Sequence, residues 1–214
     1  MQSVKKRLTG VIITAAVLFA AGSGIHPLSA GALDDPAPAV KYDPGVHDRY
    51  GVYLVEKEQY RSGGDFFHEK YSSSLLCLAS ALVEGQDITI IKGTMGFCRD
   101  RLAGSRTPFY LGFDVSVEYD GSIDYGRFCT RLIRENAAGI AEEALKYNSP
   151  LEEEEVAGVV VTFRWDNNGN EGHVTIWMKK GDMRLFNDGK ITASEFYQRS
   201  TVTNTSGRVI LLPI

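Results

Sequence analysis

Cysteine is scarce in this chain. Three residues, Cys77, Cys98 and Cys129, occur among 214, and none stands in a Cys-x-x-Cys arrangement. At most one intrachain bridge can form, and neither a zinc ribbon nor a thioredoxin-like dithiol is supported. Basic charge is short as well. The chain holds 23 Lys and Arg against 27 Asp and Glu, a poor composition for gripping phosphate backbones, and this argues against nucleic acid as a partner. No segment repeats, none is of low complexity, and no apolar run reaches the ~20 residues that span a bilayer.

The first apolar run is nevertheless informative. Lys5, Lys6 and Arg7 precede a stretch from Leu8 to Ala21, and small residues follow it up to Ala30-Gly31-Ala32. A positive end, a short apolar middle and small residues before the cut are the parts of a secretory signal peptide, here of bacterial type. The expectation is an exported protein, periplasmic or extracellular, cleaved near Ala32 and holding no membrane span afterwards. No Cys precedes Cys77, which excludes a lipid-modified N-terminus. Removing residues 1–32 takes away three basic and no acidic residues, so 20 minus 27 leaves a mature charge of −7. Export also places the three cysteines where one disulfide can form, though the sequence does not choose the pair.

Residues 33–49 carry three prolines and no periodicity and are expected to be an extended linker. Residues 50–214 are expected to form one domain, with 50–107 and 108–214 as candidate sub-units. In the first part, VYLVEK at 52–57 suggests a strand, Leu75 to Val83 behind the serines at 72–74 a short buried helix, and ITIIK at 88–92 another strand. The glycine-rich segment GTMGFCRDRL reads as a turn and a helical turn holding Cys98. Further on, Phe113, Val115 and Val117 alternate with polar neighbours as in a half-buried strand. From Asp124 to Asn148, Tyr125, Phe128, Cys129, Leu132, Ile133, Ile140, Ala144 and Tyr147 recur at spacings of three and four, the stripe of a long amphipathic helix.

Three runs rich in Val, Thr, Phe, Trp and Ile follow between Val156 and Asp188, separated by DNNGNEG and by Lys180-Gly181. They predict an antiparallel three-stranded meander. The fold expected is therefore α+β: a mainly antiparallel sheet with a C-terminal meander, packed by the one long helix. ITASEFYQRS then suggests a short helix capped by Thr192 or Ser194, and RVILLPI a last strand.

Two site hypotheses come from the meander. A two-residue loop at Lys180-Gly181 would place Trp177 opposite Arg184, Thr175 opposite Phe186, and His173 opposite Asp188 at the open end of the hairpin. The run GHVTIWMKKGDMRLFNDGK resembles in outline the His box of papain-like and deubiquitinating cysteine proteases, where a Gly-His strand is followed by an aromatic-Asp strand. The resemblance covers about twenty residues and includes no Cys box. It implies a cysteine hydrolase with His173 as base and Asp188 as its orienter; of the three thiols, Cys77 and Cys129 lie on apolar stripes, which leaves Cys98, after Gly93 and Gly96 at a possible helix start, as the candidate nucleophile.

The second hypothesis is a surface. Centring DNNGNEG on Gly169 puts Val161, Phe163 and Trp165 on one face with His173, Thr175, Trp177, Arg184 and Phe186, and Val160, Val174, Ile176, Met178 and Leu185 on the other. Phe163, Trp165, Trp177, Arg184 and Phe186 would then form an aromatic face with one cation, suited to a glycan, a peptide or a protein partner. No cofactor or metal is expected. NDGKITASEF reproduces the second half of an EF-hand loop, but the first and third ligand positions fall on Arg184 and Phe186, which cannot hold Ca²⁺. The favoured reading is an exported, non-enzymatic binding or cell-envelope structural module, with the hydrolase as the alternative.

Overall fold

The computed structural model describes residues 45, 49–56, 65–99, 108–147 and 149–211. The predicted leader and most of the predicted linker lie outside them. The helices are α1 (Asp65–Ser80), α2 (Tyr125–Lys146), α3 (Ser149–Glu152), α4 (Lys180–Asn187) and α5 (Ala193–Arg199), and the strands are β1 (Gly96–Arg99), β2 (Phe109–Ser116), β3 (Val156–Asn167), β4 (Asn170–Lys179) and β5 (Thr201–Asn204). Among the described helices none is long and apolar enough to cross a membrane.

The strands form one sheet in the order β1-β2-β3-β4-β5. The β1/β2, β3/β4 and β4/β5 pairs are antiparallel, and β2/β3 is parallel. A parallel neighbour needs a long crossover, and the chain between β2 and β3 supplies it as α2 and α3. The fold is α+β with a mixed, mainly antiparallel sheet, and the long helix does pack on it.

Side chains alternate cleanly between the two faces. Leu111, Phe113 and Val115 of β2, Val159, Val161, Phe163 and Trp165 of β3, and Val174, Ile176 and Met178 of β4 share one face, and all are buried. Helix α2 begins with Asp124 as its cap, its carboxylate accepting from the Arg127 amide at 3.0 Å. It lays Phe128, Cys129, Leu132, Ile133, Ile140 and Ala144 on the core. Phe128 meets the Trp165 ring edge to face, with centroids 5.0 Å apart. Helix α1 reaches the same face further along, where Phe67 touches Phe97 and Phe109.

The register of β3 on β4 corrects the expected one. The pairs are Asn167 with Asn170, Phe163 with Val174 and Val160 with Trp177. The hairpin loop is thus the dipeptide Asn168-Gly169, both residues with positive φ (53° and 85°), which is what a tight two-residue turn between right-twisted strands requires. Centring the loop on Gly169 is half a residue off, and in a structure with a two-residue side-chain period that shift reverses which faces match.

The third strand of the meander is also elsewhere. Residues expected to form it make up α4, and the strand beside β4 is β5, pairing Trp177 with Thr201 and Ile176 with Val202. The segment holding Cys98 is a strand, not a helical turn, while in place of the expected strands residues 52–56 hold the end of a 3-10 turn and the isolated bridge Leu54–Met95, and residues 88–92 the isolated bridge Ile90–Val115. The short helix after α4 is capped by Thr192 with Glu195 in a reciprocal capping box. That use of Glu195, whose carboxylate accepts from the Thr192 amide and hydroxyl, accounts for the EF-hand-like run as a helix start.

The three cysteines are all thiols; the one disulfide that export would permit is not formed. Cys129 is fully buried, and burial pushes its pKa up to about 11. Cys77 is half-buried and shifted the same way, whereas Cys98 is exposed. Ellman titration without reductant should therefore count three thiols per denatured chain, and in native protein Cys98 should react well before the other two. A count of one would reveal a bridge.

Candidate functional site

The other face of the sheet has a different character. Its central row runs across four strands as Asp114, Thr162, Thr175 and Thr203, and the next row as Gly112, Val160, Trp177 and Thr201. Apart from the Asp114 carboxylate and the one indole, these are small or hydroxylated side chains. At the β1 end of this face the His68 ring of α1 lies against Gly96, the strand partner of Gly112.

A concavity of about 280 Å³ opens on this face. Gly112, Val160, Trp177 and the hydroxyl row of Thr162, Thr175 and Thr203 line it. Cys98 also lines it, close to Gly112: an added Cβ there would lie 3.1 Å from its sulfur and 2.9 Å from a methyl of Val160. Thr94 closes the β1 side, its hydroxyl donating to the Ile91 carbonyl at 2.7 Å and accepting from the Asp114 amide at 3.1 Å. The Thr162 and Thr175 hydroxyl oxygens are 3.0 Å apart. One donates to the other, so the pair still has one O–H and several lone pairs to offer. Tyr110 meets Trp177 edge to face at 5.0 Å across β3; Gly158, beside Tyr110, carries no side chain to separate the rings.

Beside the concavity the charges are paired. The Arg164 guanidinium donates from Nε to Asp114 Oδ2 at 2.6 Å. His173 stands next to Arg164 across the hairpin. Its pKa lies below the ordinary imidazole value, first because of partial burial and second because of the Arg164 cation, with Asp114 and Glu171 opposing. A neutral imidazole is thus the form at neutral pH.

The three residues of the hydrolase hypothesis are not brought together. Cys98 lies in the row of Tyr110 and Gly158, and His173 in the row of Arg164. Six residues of strand separate those rows, about 20 Å at ~3.3 Å per residue. Asp188 is not a strand partner of His173, because α4 replaces the expected strand. It ends that helix and pairs with Lys190 at 2.9 Å. The His173 backbone instead engages Thr205, whose hydroxyl sits 3.1 Å from its amide and 3.0 Å from its carbonyl.

The aromatic set divides in the same way. Phe163 and Trp165 lie in the core under α2, at 0% and 6% exposure. Trp165 stacks with Tyr119, and an added Cβ on Gly172 would come within 2.3 Å of its indole nitrogen. Phe186 stacks on Phe196 between α4 and α5 with centroids 5.1 Å apart, and Arg184 binds Glu152 at 3.0 Å. Only Trp177 reaches the open face. Its companions Tyr110, Asp114, Thr162 and Thr203 escaped the sequence reading, although the alternation of β3 and the Asn-Gly dipeptide carried enough signal to find Thr162 and Thr175 together.

Comparison of the chain with protein-family models, with curated proteins and with solved structures found no match.

Proposed function

We propose that this is an exported binding module whose ligand surface is the sheet face centred on Trp177. Export rests on the leader pattern of residues 1–32. The binding surface rests on the asymmetry of the sheet. One face is buried throughout and packed by α1 and α2, while the other keeps a half-exposed indole, a row of threonines and a concavity of about 280 Å³. The charged residues of that face, Arg164, Asp166, Glu171 and Lys179, stand toward the strand ends, and its centre holds none but Asp114, whereas a sheet whose second face only needed to meet water would carry charged and long polar side chains at its centre too. A tryptophan beside glycine and valine invites contact instead.

Trp177→Ala tests this. Binding to whichever member of a glycan and peptide panel the wild-type chain retains should weaken at least tenfold, while unfolding free energy stays within ~1 kcal/mol of wild type. Unchanged binding would overturn the assignment of the face. A collapse in stability would make Trp177 a core residue and overturn it equally.

A further inference from the structure

Resting on that reading of the face, we infer that the concavity takes one ring of a neutral saccharide. The size is the first constraint. About 280 Å³ lies just below the ~300–1,000 Å³ typical of ligand pockets, room for a single ring and not for a helix or an extended chain with its side chains. Charge is the second. Asp114 is the one formally charged residue of the lining, and Arg164 already neutralises it at 2.6 Å. An anionic ligand would meet that carboxylate without a cation of its own, and a cationic one would have to displace a guanidinium in a short ion pair. The uncharged class fits.

Hydrogen-bonding character is the third. Thr162, Thr175 and Thr203 form one row across β3, β4 and β5 and line the concavity. Hydroxyls both donate and accept, as do the hydroxyls of a sugar, so the row can match a polyol whichever way each O–H turns. Thr175 is 8% exposed and its hydroxyl is held by Thr162, so this part of the site is set before a ligand arrives. Trp177 supplies the apolar flank. The C–H-rich side of a pyranose packs on an indole while its hydroxyls face the threonines, a division that peptides of ordinary composition do not share.

The test titrates the full-length protein, observed by threonine-methyl NMR and tryptophan fluorescence. The probes are methyl glycosides of glucose, galactose, mannose and N-acetylglucosamine, the corresponding neutral trisaccharides, methyl glucuronide and tetra-alanine. At least one neutral glycoside should give saturable shifts at Thr162, Thr175 and Thr203, and Thr175→Val, which keeps the branched shape and removes the hydroxyl, should weaken it at least tenfold with an unchanged melting temperature. Equal affinity for the monosaccharide and its trisaccharide is expected of a one-ring site. If tetra-alanine binds in a Trp177-dependent way and no neutral sugar does, the saccharide inference is overturned and the binding face stands. If neither binds, both fall. Preference for the glucuronide overturns the neutral-ligand argument alone.

Discussion

Phe163→Ala should cost about 3–5 kcal/mol of unfolding free energy, measured by urea denaturation, whereas Trp177→Ala should cost no more than ~1 kcal/mol. Both are large aromatic side chains on neighbouring strands, and their pairing in the sheet decides the difference. Phe163 stands beside Val115 on β2 and Val174 on β4 and is fully buried on the helix-covered face. Removing its ring leaves a cavity among neighbours that are themselves held by the sheet and helices, so the site can close only partly. Trp177 faces the other way, with Tyr110 at its edge and open space beside it. Had the β3/β4 loop been centred on Gly169, the two residues would share a face and respond alike. Equal losses in the two variants would therefore refute the register itself, and with it the placement of the binding surface.

That contrast also locates where sequence reasoning ran out. The long helix was legible because eight apolar residues at three- and four-residue spacing admit no other period. Six of the eight, from Phe128 to Ala144, are buried, and Tyr125 and Tyr147 at the two ends are not. Strand β2 was legible for the same reason with a period of two. The segment Lys180–Asn187 was not. Met183 and Leu185 alternate as in a strand, while Met183 and Phe186 are three apart as in a helix, and eight residues do not separate the two periods. Tertiary contacts decide it: Met183 is fully buried and Phe186 meets Phe196 of α5. Once that segment is helical, the pairing of His173 with Asp188 has no strand to rest on.

Cys98 shows a different failure. Gly93 and Gly96 look like turn residues in isolation, and Gly93 does sit at φ +71°. Gly96 is a glycine for another reason. His68 accepts a hydrogen bond from the Phe97 amide at 3.1 Å, and its ring lies where a Cβ on Gly96 would be, 2.1 Å away. A histidine from α1 thus covers the edge of a four-residue strand, a long-range contact that no local pattern encodes. The binding face was half legible. Thr175 and Trp177 were correctly separated from Val174 and Ile176 by alternation, but matching them to Thr162 and Val160 needed the loop centre.

Gly158→Ala should destabilise the chain by about 3 kcal/mol or more, at or beyond the upper end of what overpacking ordinarily costs. A Cβ at this position would lie 1.9 Å from the Met178 carbonyl oxygen, 2.9 Å from its carbon and 3.0 Å from the Lys179 Cα. All three are backbone atoms of the paired strand, so no rotamer change can relieve the clash. Gly112→Ala is the control: its nearest atoms are a methyl of Val160 and the Cys98 sulfur, side-chain atoms that can turn aside, and its loss should be smaller. The backbone that must yield at Gly158 has a second task. Lys179 is the N-cap of α4, and Lys180 donates from Nζ to the Glu153 carbonyl at 2.7 Å, just ahead of β3. Pushing β4 away there displaces the start of α4 together with the strand, and the same movement carries Trp177, two residues back, away from Tyr110. Urea denaturation with the Trp177 fluorescence followed in parallel would separate the outcomes. Gly158→Ala should lower the midpoint more than Gly112→Ala and also alter the native emission of the indole. A variant as stable as wild type would mean that β3 and β4 do not approach as closely as this register requires.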